Sequence, residues 1–226
     1  MQRAIRLLVL VLVIGLGALW GAAWFGRTPG EPLGSAFLRQ FAAVTGRGAE
    51  QPVAGNGIRL PSGVSMGGAF TMQDQDGRSV TQADFGGRLL VGYFGYSFCP
   101  DVCPTELATI ANAFDLLTPA EAARATPLFV TVDPERDTPA QMKSYVANFH
   151  PRMVGLTGSA EQVATMAKLY RVFYAKVQRP EMSEYLMDHS SFVYLIGADG
   201  RVRALLRPQS SAEDIAQAIR AQLAGA

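Results

Sequence analysis

The hydrophobic pattern of the chain begins with a run over positions 7–25 that contains no charged residue. Its 19 residues approach the roughly 20 that a helix needs to cross the core of a bilayer. Arg3 and Arg6 precede the run, as expected for a membrane helix whose amino terminus stays in the cytoplasm. We therefore predict a membrane anchor over residues 1–27. A cleaved signal peptide is the competing interpretation, because small residues occupy positions 21–23.

The next segment, residues 28–65, has no sustained hydrophobic periodicity. Eleven of its 38 residues are Gly or Pro, which interrupt helices and strands. A flexible chain of this length has a root-mean-square reach of roughly 35 Å. We therefore predict that the segment is a tether, and that it joins the anchor to a folded domain over residues 66–226.

Apolar runs of strand length mark the centre of that domain. Residues 89–96 and 128–132 are almost continuously apolar, which is typical of strands buried on both faces of a sheet. Residues 69–81 and 191–206 each contain an Asp-Gly pair between two strand-like segments. This pattern predicts two β-hairpins.

Helical patterns alternate with these strands. The first has an apolar stripe from Leu107 to Leu117, and the third has a stripe that continues to Phe173. The last three helices each begin with a capping box, in which a Ser or Thr and a Glu or Gln three residues later cap the first turn. The capping pairs are Thr138 and Gln141, Ser159 and Gln162, and Ser210 and Glu213.

The alternation of strands and helices predicts an α/β fold, with parallel crossovers in a central mixed sheet and helices on both faces. A domain of about 160 residues buries roughly 70% of its unfolded surface and needs neither a metal nor a disulfide to fold. The cysteines are then available for chemistry.

Composition and charge exclude several classes of function. Hydrophobic residues make up 49% of the chain and charged residues 17%, which excludes a disordered or fibrous protein. The net charge of +1 provides no field that would hold the chain to nucleic acid, so we expect no nucleic-acid partner. Two cysteines are too few for a disulfide framework or a four-thiolate zinc site.

Those two cysteines, Cys99 and Cys103, lie between the first buried strand and the helix that follows it. Ligands bind at this edge of open α/β sheets, and the nearby helix amino terminus stabilises a thiolate. The spacing alone leaves three hypotheses open: an inert disulfide, a redox-active dithiol, or two ligands of a soft metal ion. Thioredoxin-like redox motifs have two residues between the cysteines, and this chain has three.

His189 favours the metal hypothesis. It precedes the predicted strand 191–197, and strand ends at one edge of a sheet converge. Two thiolates and one imidazole form a soft, three-coordinate set that suits copper, particularly Cu(I). Asp188 would either orient the imidazole or cap the loop. We assign the second histidine, His150, to a helix end.

Three motifs resemble the Sco/SenC family. They are YFGYSFCPDVCP at residues 93–104, VTVDPERDTP at residues 130–139, and Asp188-His189-Ser190. The resemblance implies a thioredoxin-like fold with copper held by Cys99, Cys103 and His189. It also implies delivery of copper to the binuclear copper site of cytochrome c oxidase subunit II. Such a carrier breaks no substrate bond and is not an enzyme in the usual sense.

The alternative within this resemblance is a thiol-disulfide oxidoreductase that uses Cys99 and Cys103 to keep the cysteines of a partner reduced. Either function outside the cytoplasm requires a thiol reductant there, and the copper carrier also requires a copper donor. We expect a single-pass protein of the bacterial inner membrane with its amino terminus inside and its carboxy-terminal domain in the periplasm. No Arg- and Ser-rich transit segment precedes the anchor.

Overall fold

The computed structural model describes residues 63–178 and 184–225, together with short pieces between positions 6 and 60. By its internal contacts the chain divides into two units, Met1–Gln51 and Pro52–Ala226. The predicted anchor and tether fall mostly outside the described residues, and both stay predictions. Among the residues that are described, no helix is long and apolar enough to span a membrane.

The second unit is built on a central β-sheet. The strands, in chain order, are β1 Gly57–Ile58, β2 Thr71–Asp74, β3 Ser79–Thr81, β4 Leu89–Gly95, β5 Ala125–Thr131, β6 Val154–Thr157, β7 Tyr174–Val177, β8 Leu186–His189, β9 Val193–Ile196 and β10 Val202–Leu206. Eight of them form one sheet in the order β1-β10-β9-β4-β5-β6-β2-β3, while β7 and β8 form a separate pair. The β4–β5 and β5–β6 pairs are parallel and the other pairs are antiparallel, so the predicted mixed sheet is confirmed.

The two central strands, β4 and β5, are buried at all seven positions each. Successive side chains of a strand point to opposite faces, so both faces of the sheet are covered at its centre. The predicted hairpins are also confirmed, as β2–β3 and β9–β10. Gly77 and Gly200 have φ angles of 78° and 77° in the two turns, in the left-handed region that glycine occupies without strain.

Five α-helices are described in this unit, and a 3-10 turn over Gln82–Phe85 precedes β4. The helices are α1 Val102–Asp115, α2 Pro119–Ala123, α3 Pro139–Val146, α4 Ala160–Leu169 and α5 Ala212–Ala224. Helices α1 and α5 pack against each other and against β4, while α3 packs on β6 and α4 on β2. The α/β class predicted from the sequence is confirmed.

The predicted cap of the last helix is wrong by one residue. Ser211 caps α5 by accepting from the backbone N–H of Asp214. Gln209 adopts a left-handed conformation, with a φ of 63°, and the hydroxyl of Ser210 donates back to the carbonyl of Arg207. These local bonds use Ser210 in the preceding turn, so the helix begins one residue later than its pattern predicts.

The capping prediction at Thr138 is half right. The Thr138 hydroxyl accepts from the backbone N–H of Gln141, as a cap should. The Gln141 side chain donates instead to the hydroxyl of Ser97, 3.0 Å away, in the loop that carries the cysteines. The predicted box at Ser159 and Gln162 is complete.

Helix α4 ends earlier than predicted. Its last residue is Leu169, and Arg171 has a φ of 53°, which stops the helix. Tyr170 still packs in the core, but Phe173 is 63% exposed and is not part of the buried stripe. The expectation that Phe173 continues the apolar face is therefore wrong.

The sheet brings the ends of several segments to one edge. Gly95 at the end of β4 pairs with Thr131 at the end of β5, and Tyr93 pairs with Val193 at the start of β9. The loops that follow β4 and β5 therefore start beside the loop that enters β9. This edge carries both cysteines and the histidine.

Candidate metal centre

The cysteine loop connects β4 to α1. Cys99 is half-buried in this loop, and its backbone N–H donates to the carbonyl of Tyr96 at 3.2 Å. Cys103 is fully buried in the first turn of α1. The backbone N–H of Cys103 points at the sulfur of Cys99, 3.5 Å away. This N–H group has no partner within the helix, so it is available to stabilise negative charge on Cys99.

Gly95 makes room for the second sulfur. A Cβ atom at this position would lie 2.7 Å from the Sγ atom of Cys103 and 3.1 Å from the ring of Phe129. The end of β4 therefore approaches α1 more closely than a strand residue with a side chain would allow. The absence of a side chain at Gly95 permits Cys103 to point toward the edge of the sheet.

A buried carboxylate holds the start of the cysteine loop. Asp137 accepts hydrogen bonds from the backbone N–H of Ser97 at 3.1 Å and from its hydroxyl at 2.5 Å. It also accepts from the hydroxyl of Thr131 at 2.6 Å. Burial raises the pKa of Asp137, while the hydrogen bonds from Ser97 and Thr131 oppose that shift. Asp137 thus fixes the loop to the end of β5.

His189 reaches the same place from the end of β8. Its Nε2 atom lies 3.3 Å from the sulfur of Cys103. Its Nδ1 atom lies 3.1 Å from the carbonyl oxygen of Ser190, which can only accept a hydrogen bond. The proton therefore belongs on Nδ1, and the lone pair of Nε2 faces the sulfur atoms. The rings of Tyr93 and Tyr96 pack edge-on against the imidazole, at centroid distances of 6.1 and 5.9 Å.

The ligand atoms of Cys99, Cys103 and His189 all lie within 4.8 Å of one another, and both cysteines are free thiols. Three ligands at about 2.3 Å from one ion in a trigonal arrangement are about 4 Å apart. Small side-chain movements therefore suffice to bring all three atoms onto one ion. Two thiolate sulfurs and an imidazole nitrogen are the soft donor set that suits copper.

The two sulfurs differ in their affinity for a proton. A hydrogen bond from the Cys103 thiol, with further bonds from the backbone N–H groups of Asp101 and Cys103, lowers the pKa of Cys99 to about 3 despite partial burial. The same bond to Cys99, together with burial, raises the pKa of Cys103. At neutral pH one thiolate and one thiol therefore share a proton.

The family of the chain follows from comparison with known proteins. The SCO1/SenC family model matches residues 59–224. This chain belongs to the SCO1/SenC family. A SCO2-like protein of Rickettsia felis is 33% identical over 92% of this chain and 92% of its own length. The mitochondrial SCO2 homolog of Bos taurus is 42% identical over 70% of this chain, and the match spans 59% of the bovine protein.

Solved SCO1/SenC structures share the fold. ScoI of Bradyrhizobium japonicum with copper bound is 37% identical, with a TM-score of 0.63 over 69% of this chain and 98% of that one. BsSco is 27% identical, with a TM-score of 0.56 over 74% of this chain and 98% of that one. It is a member of the Sco family of cytochrome c oxidase assembly proteins, and a disulfide switch has been identified in it. Copper binding and a cysteine switch are thus both described among proteins of similar structure.

Asp188 and His150 lie outside the group of three ligand atoms. The Ser190 carbonyl, not Asp188, orients the ring of His189, and Asp188 is exposed on β8. Within the part of the chain that the structure describes, His150 bonds no helix carbonyl, and its Nδ1 atom accepts from the backbone N–H of Arg152. Burial lowers the pKa of His150.

Sequence reasoning missed the strand pair that carries His189. The histidine was expected at the entrance of the strand over residues 191–197, but it ends β8, which pairs with β7. These strands have four residues each and show no strong alternation of polar and apolar residues. Their sequence therefore gave no clear strand signal.

Sequence reasoning also missed two charged side chains near the candidate centre. Glu106 follows Cys103 by one helical turn and is 3% exposed, and its Oε1 atom accepts from the backbone N–H of Gln209 at 2.7 Å. Burial raises its pKa. Arg136 lies in the second family motif and contacts both the cysteine loop and the segment that leads into β8. The only available signal was that each is a charged residue within or beside a motif.

Proposed function

We propose that the protein is a membrane-anchored copper chaperone. Cys99, Cys103 and His189 bind one copper ion, which the protein delivers to the binuclear copper site of cytochrome c oxidase subunit II. The observation that carries this proposal is the approach of these three ligand atoms to within 4.8 Å of one another in a SCO1/SenC domain.

Copper binding uses the unequal protonation of the two cysteines. Cys99 supplies a thiolate before metal arrives, because its pKa is about 3. Cys103 releases its proton when its sulfur becomes the second ligand, so binding becomes tighter as pH rises. His189 supplies the lone pair of Nε2 without losing a proton, since the Ser190 carbonyl holds the proton on Nδ1.

Release to an acceptor requires access to the bound ion. The candidate site opens into a shallow depression of about 250 Å³ that Cys99 and His189 line, whereas Cys103 is fully buried. An acceptor thiolate can therefore approach the ion on the side of Cys99 and His189. It adds to the copper before a donor ligand leaves, and Cys103 is the ligand we expect to leave last.

The oxidation state of the cysteines controls loading. Oxidation of the Cys99 thiolate and the Cys103 thiol to a disulfide transfers two electrons to an oxidising dithiol partner in its disulfide form, releases one proton and removes both sulfur ligands. Return to the copper-binding state needs a dithiol reductant that forms its own disulfide. Both this reductant and a copper donor must act where the domain is located.

We infer the location of the protein from its amino-terminal sequence pattern. The anchor over residues 1–27 would hold the protein in the bacterial inner membrane with its amino terminus inside. If residues 28–65 form the flexible tether that the sequence predicts, its reach of roughly 35 Å would let the domain search the periplasmic surface of the membrane. Membrane-bound subunit II is a suitable acceptor for a carrier placed in this way.

A thiol-disulfide oxidoreductase is the second candidate function. It is supported by the low pKa of Cys99, which provides a nucleophilic thiolate, and by the Cys103 sulfur, which lies within 4.8 Å of the Cys99 sulfur and can resolve a mixed disulfide. In this function Cys99 attacks a partner disulfide, and Cys103 then displaces the partner thiol. His189 has no ligand role in that reaction.

Copper titration of the reduced full-length protein in detergent distinguishes the two functions. We expect one copper per chain, with binding weakened at least about 10-fold by His189→Ala. His150→Ala is the matched control, since it removes the other histidine of the chain and should leave the affinity unchanged. Unchanged copper affinity in His189→Ala, together with catalytic reduction of a protein disulfide, would favour the oxidoreductase.

A further inference from the structure

The strand that carries His189 belongs to a two-stranded sheet that is separate from the main sheet. Strands β7 and β8 pair with each other and, among the described residues, with no strand of the main sheet. We call this strand pair, together with Glu184 and Tyr185 that lead into β8, the histidine arm. Because His189 is its last residue, any outward movement of the arm separates the imidazole from the two cysteines.

Arg136 contacts the histidine arm, the cysteine loop and the loop after β5. Its Nε atom donates to Asp133 at 2.5 Å, and its Nη1 atom donates to the backbone carbonyl of Tyr185 at 3.1 Å. Its guanidinium carbon lies 3.7 Å from the centre of the Tyr185 ring and 4.9 Å from that of Phe98. Tyr185 directly precedes β8, and Phe98 directly precedes Cys99. Arg136 therefore touches both segments that supply the proposed ligands.

Tyr185 is held on both sides. Arg136 packs on its ring at 3.7 Å, and the ammonium group of Lys176 lies 3.8 Å from the ring centre. The Tyr185 hydroxyl donates to Asp133 at 2.9 Å, and Lys176 pairs with Glu135 at 2.8 Å. Cation–π contacts are attractive, and more strongly so when the cation is removed from water. These contacts hold the arm against the loop that carries Asp133 and Glu135.

The burial of Arg136 is unfavourable unless its contacts compensate for it. Its side chain is only 14% exposed, and its Nη2 atom is buried without a hydrogen-bond partner within the described part of the chain. Taking a charged guanidinium out of water is unfavourable unless the charge is paired. A lysine could pair with Asp133, but it has no planar fork to stack on Tyr185 and donate to its carbonyl at the same time.

From these contacts we propose that Arg136 is a positioning residue for the copper site, an inference that rests on the proposed function. Arg136 holds the histidine arm closed over the cysteine loop, and so keeps Nε2 of His189 beside the sulfur of Cys103. Without its planar guanidinium the arm opens, and copper is left on the two sulfurs alone. Arg136 itself touches none of the three ligand atoms.

The test compares full-length Arg136→Lys and Arg136→Gln with wild type and with Arg78→Gln. Arg78 is a matched control, because its Nε atom also donates to a buried aspartate, Asp74, at 2.7 Å. It lies in the β2–β3 turn, away from the edge that carries the cysteines. Two measurements are made: copper affinity by competition with a chelator, and hydrogen exchange of backbone amides in the metal-free protein.

We expect both Arg136 variants to bind copper about 10- to 100-fold more weakly than wild type. Their β8 amides should exchange faster, while those of β4 and β9 keep the wild-type rates. Arg78→Gln should match wild type at β8 and in copper affinity. Unchanged amide exchange in β8 of both Arg136 variants would overturn the proposal. It would also be overturned if the amides of β4 and β9 exchanged faster to the same extent as those of β8, because that result indicates global destabilisation. Failure of wild type to bind copper would refute the proposed function, but the exchange experiment needs no metal and would still test Arg136.

Discussion

The sulfur of Cys103 lies 3.3 Å from Nε2 of His189, although 86 positions separate the two residues in the chain. Cys103 is held in the first turn of α1, and Gly95 leaves room for its sulfur because it has no side chain. His189 is held by the histidine arm and by the Ser190 carbonyl. The candidate centre therefore depends on the relative placement of two separate segments.

Substitution of Gly95 by alanine tests the close approach of β4 to Cys103. The new methyl group would lie 2.7 Å from the Cys103 sulfur, which must move. We expect the free energy of unfolding to fall by about 1–3 kcal/mol. Copper affinity should fall as well, because one ligand is displaced. Thermal melts and copper titration measure the two effects.

Gly92→Ala is the control for this substitution. Gly92 lies on the same strand, but a Cβ atom there would meet the flexible end of the Ile196 side chain at 3.3 Å and no sulfur. We expect a stability loss in Gly92→Ala without a specific loss of copper affinity. Equal copper affinities in Gly95→Ala and wild type would contradict the proposed geometry.

The pH dependence of alkylation tests the charge on Cys99. The thiolate is the nucleophile, so the alkylation rate follows its population. Because the folded pKa of Cys99 is about 3, the thiolate population of this residue should stay constant from neutral pH down to about pH 4 and fall only near pH 3. An unfolded cysteine with a pKa near 8.5 loses reactivity several pH units higher. Iodoacetamide labelling followed by peptide mass spectrometry measures this profile.

In Cys103→Ala the same profile should shift to higher pH, since the bond from the Cys103 thiol is the largest cause that lowers the Cys99 pKa. His150→Ala should not shift it. A Cys99 profile centred near pH 8.5 in the wild-type protein would show that this thiolate is not stabilised by the fold.

Asp137→Asn tests the support of the cysteine loop. An asparagine keeps one acceptor oxygen but places an N–H₂ group where Ser97 and Thr131 now donate. We expect a loss of about 1–3 kcal/mol in the free energy of unfolding, measured by denaturant titration. Asp76→Asn, in a surface turn, is the control and should change stability much less.

Glu106→Gln tests the buried carboxyl behind Cys103. Burial raises the folded pKa of Glu106 above its unfolded value, so the folded state binds more protons in that window. The stability that Glu106 contributes is therefore full below the unfolded pKa and is lost as pH rises through the folded pKa. Glutamine retains an acceptor for Gln209 and does not titrate. The free energy of unfolding of Glu106→Gln minus that of wild type should therefore be larger at pH 8 than at pH 5. The opposite order in denaturant titrations would contradict this expectation.

Much of the fold could be predicted because burial determines the sequence pattern there. The central strands β4 and β5 are continuous apolar runs since both of their faces are covered. The last helix was misplaced by one residue, because the left-handed conformation of Gln209 has no signal in the hydrophobic pattern.

The candidate site could be predicted in chemistry but not in detail. Two cysteines at a strand end and a histidine before another strand indicated convergence at one edge, and the structure brings the three together. The histidine arm was not predicted, since its four-residue strands bury little surface. The role of Arg136 was also not predictable, because it depends on contacts with Phe98 and Tyr185, which are 38 and 49 positions away.

X-ray absorption spectroscopy of the reduced protein loaded with one equivalent of Cu(I) tests the central claim most directly. The account predicts two sulfur ligands and one nitrogen ligand in wild type, with the nitrogen lost in His189→Ala and retained in His150→Ala. A site with sulfur ligands only in wild type, or a nitrogen ligand that persists in His189→Ala, would contradict it.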